Sequence, residues 1–190
     1  MNEQRSNFSL VVRDKQLYAI GGDRIINNNL DSVECYCPES NCWSFSHPLD
    51  QALSGHAATV WEGEVFISGG FDCRYQCLVS MFLYHPERGT TYLCNMGQDR
   101  ALHCMEKLAG RLYVAGGVCN LRKFYTDQFL CESYNPLTDS WSSVPSLTTP
   151  HPVSSTCLLT YAADRDGRLL HINISINNCY EDHLCPHGGQ

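Results

Sequence analysis

One six-residue word is written three times in this chain, and its spacing limits the fold more than any other feature. Leu17 to Gly22 reads LYAIGG, Val65 to Gly70 reads VFISGG, and Leu112 to Gly117 reads LYVAGG. The glycine pairs begin at Gly21, Gly69 and Gly116, so the intervals are 48 and 47 residues. Self-similarity at a fixed period of this size marks a repeat architecture with one supersecondary unit per copy. Each copy is a short, alternating apolar run, the pattern of a half-buried strand. Each stops at two residues without a Cβ, which lets another backbone approach closely or supplies positive φ for an abrupt turn. Three such pairs in register predict a repeated fold.

The rest of each unit repeats as well. A polar loop follows each glycine pair, then SVECYCP (32–38) with Trp43, SMFLYHP (80–86) with Tyr92, and LCESYNP (130–136) with Trp141. Tyr36, Tyr84 and Tyr134 each stand two residues before a proline. The segments CPESN, HPERG and NPLTD combine proline with polar residues and Asn, Asp or Gly, which is turn chemistry. Each unit therefore predicts a strand, a turn and a short strand opening with a large aromatic. Ahead of the second and third glycine pairs lie further strands, His56 to Gly63 and His103 to Gly110. Both histidines stand 13 residues before the first glycine of their pair, a repeated place that predicts strand packing rather than a ligand role. Four short strands per unit is the content of one antiparallel propeller blade.

The order of double glycine, Tyr-x-Pro, aromatic and Gly-containing turn resembles the kelch repeat. The spacing is most similar to the kelch-like proteins that carry a BTB domain upstream. The resemblance implies an all-β, kelch-type β-propeller with repeats over 1–174: blades at about 7–45, 55–96 and 101–144, and a degenerate fourth at 154–174. In that fourth unit Gly167 to Ile172 matches Gly110 to Ala115, but Asn173 and Ile174 stand where a glycine pair is expected. Residues 175–190 form a short polar tail, expected either to be disordered or to pack as an edge. Propellers of this family usually close with six blades, which takes roughly 290 residues at this period. Three blades and a half make an incomplete ring. We expect a fragment of a longer protein rather than a chain that pairs with a second copy to close the circle.

Composition narrows the partners. The net charge of −7 argues against nonspecific nucleic-acid binding, which needs a basic footprint. The apolar runs are too short to span a bilayer, and the opening MNEQRSNFS has no signal-peptide core, so no membrane partner is expected. A cytoplasmic location follows, with the nucleus as the other compartment open to it. Twelve cysteines, about 6% of the chain, fall short of a disulfide scaffold and read as mostly reduced thiols filling core positions. Cys73 and Cys77 read as ordinary loop thiols, and the N-x-S sequons at Asn7 and Asn173 as idle. Two clusters tempt a zinc reading: Cys35, Cys37 and Cys42, and Cys179, His183, Cys185 and His187. Neither has the paired spacing of a structural zinc site, so no cofactor is expected.

Propellers do host enzymes, a kelch-type copper oxidase and sialic-acid epimerases among them. No nucleophile elbow, P-loop or dinucleotide fingerprint occurs here, and the expectation is an interaction protein rather than an enzyme. The resemblance implies that partners are held by the loops after the glycine pairs (23–31, 71–77 and 118–127) and by those between blades. These loops carry Arg24, Arg74, Tyr75, Arg122, Lys123 and Tyr125, and Arg and Tyr are the side chains that most often anchor protein interfaces. The plainer reading is solvated loop residues. Arg100 stands before the third blade, where Leu53 occupies the matching place before the second, and packing and recognition are equal readings for it. The resemblance further implies substrate capture for a cullin-RING ubiquitin ligase. The cullin contact would lie in a BTB region, and no segment of these 190 residues looks like that helix-rich domain. Actin binding is the alternative, and a propeller enzyme the remote one.

Overall fold

The computed structural model describes residues 1–25, 28–122 and 131–145. Among these residues twelve strands form three four-stranded antiparallel sheets, each a meander in chain order. The first sheet is β1 (Ser9–Arg13), β2 (Gln16–Ile20), β3 (Val33–Cys37) and β4 (Cys42–Phe45). The second is β5 (Ala57–Trp61), β6 (Glu64–Ser68), β7 (Met81–His85) and β8 (Gly89–Tyr92). The third is β9 (Cys104–Leu108), β10 (Arg111–Ala115), β11 (Cys131–Asn135) and β12 (Ser140–Val144). One 3-10 turn, Asn120–Arg122, follows the third glycine pair. These are the blades of an unclosed β-propeller. The fourth unit, the tail, the zinc quartet at 179–187 and Asn173 lie outside the described residues.

The sheets stack face to face, so the second is buried between the first and the third. Val11, Tyr18, Ile20 and Val33 of the first sheet pack on Val65, Ile67, Phe82 and Tyr84 of the second. Ala57, Phe66 and Met81 of the second pack on Met105, Leu112, Val114 and Tyr134 of the third. The core is thus a series of seams between sheets. The first strands β1, β5 and β9 run side by side along the inner edge.

The glycine pairs lie on these seams. Gly69 and Gly70 have φ of 55° and 100°, a region that Cβ-bearing residues avoid. A Cβ on Gly69 would come within 2.3 Å of the Arg100 carbonyl oxygen, and the Gly70 N–H donates to that same oxygen at 2.9 Å. The chain entering the third sheet crosses the end of β6 at this point, so both properties of glycine are used. His56 and His103 are buried in the same seams. A Cβ on Gly21 would meet His56 Cε1 at 3.0 Å, and one on Gly69 would meet His103 Cε1 at 2.8 Å. Phe8, also 13 residues ahead of its glycine pair, fills the equivalent place in the first sheet, with its Cβ 2.8 Å from the Cβ position of Gly22.

One expected element is displaced. Trp43 and Trp141 lie opposite Tyr36 and Tyr134, with ring centroids 5.2 Å apart in both cases. Tyr92 closes β8 instead of opening it, and it lies opposite Phe82 rather than Tyr84. The turn accounts for one residue of this two-residue shift, and the longer spacing of Tyr92 from Pro86 for the other. His85 pairs with Gly89 across three residues, whereas Cys37 pairs with Cys42 and Asn135 with Ser140 across four. The shorter hairpin brings Thr90 opposite Tyr84, whose hydroxyl donates to the His47 carbonyl at 2.7 Å.

Candidate interaction face

In a four-stranded meander, the loop joining the second and third strands and the link from the fourth strand to the next sheet emerge at the same end. The loops after the glycine pairs and the links 46–56 and 93–103 therefore share one end of the array. The hairpin turns at 14–15, 38–41, 62–63, 86–88, 109–110 and 136–139 occupy the other. Loop-end backbone bridges hold neighbouring units together. Gly55 N–H donates to Asn7 and Leu102 N–H donates to Gly55, each at 2.7 Å, so one register position runs from blade to blade.

On this end the second loop is held by its own side chains. Asp72 Oδ1 accepts from the backbone N–H groups of Arg74 and Gln76, at 2.9 and 2.7 Å, closing an Asx-type turn. Tyr75 adopts φ of 59° and stacks on Phe71 with centroids 4.1 Å apart and planes 9° apart. Arg74 is exposed and Tyr75 is 47% exposed, so an arginine and a fixed aromatic stand together toward solvent. Asn29 braces the first loop against this one, donating to the Phe71 carbonyl at 2.8 Å. Asn120 does the same from the other side, donating to the Cys77 carbonyl at 3.0 Å and accepting from the Cys77 N–H at 2.8 Å.

The other predicted residues divide. Arg24 is half exposed and ion-paired with Glu3, which also accepts from Ser32. Ile25 and Leu121, neither foreseen as a contact, are 70% and 92% exposed on the same end. Arg122 ends the 3-10 turn, and Lys123 and Tyr125 lie outside the described residues.

Arg100 is placed differently from the surface arginines. Its side chain has no exposed area, its Nη2 lies 2.7 Å from Glu132 Oε1, and its Nη1 donates to the Gly116 carbonyl at 3.1 Å. Of its two readings, packing is the one the geometry supports. The same constellation recurs in the first sheet, where Arg5 Nη2 lies 2.9 Å from Glu34 Oε1 and Nη1 donates to the Gly21 carbonyl at 2.7 Å. Even the backbone caps repeat. Gly97 and Gln98 N–H donate to Glu132, and Asn2 and Glu3 N–H to Glu34, in each case three and two residues before the arginine. Burial would raise the Glu34 carboxyl, but those two N–H donors and the Arg5 guanidinium more than offset it and hold it below the usual range. In the second sheet the two places are Leu53 and Phe82, both fully buried in the apolar seam. Arg5 was missed by sequence reading. The signal was present, since Arg5 precedes Gly21 by 16 residues, as Arg100 precedes Gly116.

The described residues carry scattered His, Cys, Asp and Glu side chains. Among them no three His, Cys, Asp or Glu side chains gather where a metal ion could sit. A shallow groove runs over the inner strands, lined by Leu10, Val12, Ala58, Val60, Met105 and Lys107. Its lining mixes these apolar side chains with Thr59, Glu106 and Lys107.

Comparison with known proteins agrees with this architecture. The Kelch motif matches residues 4–46 and 99–148, and the unit with Leu53 and Phe82 lies between the two matched stretches. The chain is 34% identical over 160 residues to Kelch-like protein 26 of Danio rerio, covering 84% of this chain and 26% of that protein. It is 43% identical over 103 residues to Kelch-like protein 33 of Homo sapiens, covering 53% of this chain and 19% of that protein. Identity to Kelch-like protein 36 of Rattus norvegicus is 31% over 153 residues, covering 77% of this chain and 24% of that protein. The chain spans about a quarter or less of the length of these curated relatives. Among solved structures, the "Structure of YjhT" superposes with a TM-score of 0.66 at 15% identity, over 78% of this chain and 54% of that one, which shows a shared fold. With the repeated glycine seams, the buried Arg–Glu pairs and these likenesses together, the chain is a kelch-repeat protein that resembles the kelch-like family.

Proposed function

We propose that this chain is a protein-recognition module without catalysis of its own, and that the loop end of its blades is the binding face. The observation that carries this reading is the second loop, where Asp72 fixes the backbone and presents exposed Arg74 beside a stacked Tyr75. A preordered aromatic and arginine lose little freedom on binding, which is what an interface anchor requires. The resemblance to kelch-like proteins supports a finer proposal, that the bound protein is a substrate of a cullin-RING ubiquitin ligase. The cullin contact would lie in BTB sequence beyond these residues, and the cytoplasm or nucleus would be the place of action.

The test is crosslinking capture from cell extract, with the unaltered chain compared to a Tyr75→Ala, Arg74→Ala double variant and to a Leu137→Ala variant on the opposite end. Partners lost in the first variant and kept in the second support the loop-end face. Capture that is insensitive to the loop variant overturns it. F-actin co-sedimentation, retained or lost with the same variant, separates a ligase substrate from a cytoskeletal partner.

A further inference from the structure

The described cysteines differ widely in burial. Cys35, Cys77 and Cys119 are buried. Cys104 and Cys131 both register with Ala115, on opposite sides of β10, so a whole strand separates them. Burial pushes the Cys104 thiol up to about 11, which further disfavours its thiolate.

Cys37 and Cys42 differ. They are direct register partners across β3 and β4, on the last rung before the turn at 38–41. The Ser46 N–H donates to the Val33 carbonyl at 2.9 Å, which makes that rung a hydrogen-bonded one. Rungs alternate, so the Cys37–Cys42 rung is of the same kind, with Cα atoms about 5.5 Å apart. Disulfides span Cα separations of about 4.4–6.8 Å. Register partners project from the same face of a sheet, so the two thiols point to one side. Both are free thiols, Cys42 exposed and Cys37 half-buried. Cys37 Sγ donates to Glu39 Oε2 within the turn, at 3.4 Å.

We propose that Cys37 and Cys42 form a reversible disulfide on the outer rim of the first blade, with a low-molecular-weight disulfide such as oxidised glutathione as the oxidant. Cys42, the more accessible, attacks one sulfur of the oxidant as its thiolate and releases one glutathione, which takes up the proton Cys42 lost. Cys37 then attacks Cys42 Sγ as its thiolate. The Cys37–Cys42 bond forms and the second glutathione leaves, protonated in turn. Two protein thiols are oxidised, the glutathione disulfide is reduced to two thiols, and no net proton is gained or lost. The closed loop is very short, so the bond removes little chain entropy and is readily reversed by reduced glutathione. Its accessibility at the rim works in the same direction. The oxidised form pins β4, the outermost strand of its sheet, to β3.

The test titrates the folded 190-residue chain through glutathione buffers of rising oxidised fraction, followed by acid quench, alkylation, cleavage at glutamates and mass spectrometry. Cleavage after Glu39 parts the two cysteines, so only a disulfide keeps the fragments together. The expected result is a linked pair that appears with oxidation, vanishes on return to reduced glutathione, and is absent in Cys37→Ser and in Cys42→Ser. It persists in Cys35→Ser, which matters because Cys35 shares a fragment with Cys37. Circular dichroism before oxidation verifies that each variant is folded, and the exposed position of Cys42 makes its variant the safest. In the oxidised native chain, hydrogen exchange at the Cys42 and Ser44 amides, which stand on the hydrogen-bonded rungs with β3, slows several-fold. A link that survives Cys37→Ser, or Cys42 carrying glutathione with no linked pair at any ratio, overturns the proposal.

Discussion

Arg100 and Glu132 form a pair whose worth depends on what replaces it. Removing one partner leaves a buried charge without its counter-ion, which costs about 3–5 kcal/mol, whereas exchanging both for apolar residues of similar volume is often neutral. The second blade carries such an exchange, with Leu53 and Phe82 at the places of Arg100 and Glu132. We therefore expect Arg100→Leu and Glu132→Phe singly to lower stability by about 3 kcal/mol or more, and the two together to recover most of the loss. Urea midpoints of the four chains measure the coupling, and additive losses would refute it. The sequence exposes half of this arrangement. Arginine 16 residues ahead of a glycine pair is visible at positions 5 and 100, and Glu34 and Glu132 each stand two residues before the repeated tyrosine. That the two meet is a three-dimensional fact, because the loop between them differs in length from blade to blade.

At the scale of the element, glycines that look alike in the sequence divide into two kinds. Gly69 combines a φ of 55° with a Cβ position only 2.3 Å from the Arg100 carbonyl oxygen. Gly63, in the turn between β5 and β6, has a φ of 80° but nothing within 4 Å of its Cβ position. Gly63→Ala should cost only the left-handed backbone term, roughly 1–2 kcal/mol. Gly69→Ala must also push a backbone away and should cost markedly more, enough to disturb the neighbouring blade. Thermal melts of the two variants separate these cases, and equal losses would show that the close approach carries no weight. Tyr92 teaches the same lesson by failing its expected place. Its spacing from the proline differs by one residue from that of the tryptophans, but only the register shows that a three-residue turn adds the second residue of shift and sets it opposite Phe82.

Across the whole molecule, stability resides in the seams, and two histidines make those seams sensitive to acid. Burial lowers His56 from 6.5 to about 4. Burial first, then the charges of Arg100 and His56, lower His103 to about 3. Both are neutral in the folded chain, and the unfolded chain binds protons more readily below 6.5. Their contribution is complete above about 6.5 and is lost as pH falls through the window down to about 4 for His56 and about 3 for His103. Each proton adds a slope of up to roughly 1.4 kcal/mol per pH unit within that window. A His56→Gln, His103→Gln chain should therefore lose less stability than the native one between pH 6 and pH 4 (about 6 and 4 bracket the titration). Urea unfolding at several pH values checks this, and parallel acid limbs would rule it out. The first sheet keeps an apolar face toward solvent. Leu10 and Val12 are each more than half exposed, whereas Ala58 and Val60 at the matching places of the second sheet pack into the seam with the first.

Much of this could be read before any coordinates existed. Local chemistry repeated at a constant interval determined the strands, turns and glycine pairs, because φ preferences, side-chain alternation and missing Cβ atoms act within a few residues. The tertiary structure decided what depends on distance through space. It decided that Arg100 faces inward to Glu132 while Arg74 faces outward beside Tyr75, although both are arginines near blade loops. It also set Cys37 opposite Cys42 while keeping Cys104 and Cys131 a strand apart. Burial and register are properties of packed sheets, and a linear chain specifies them only once its blades stand against one another.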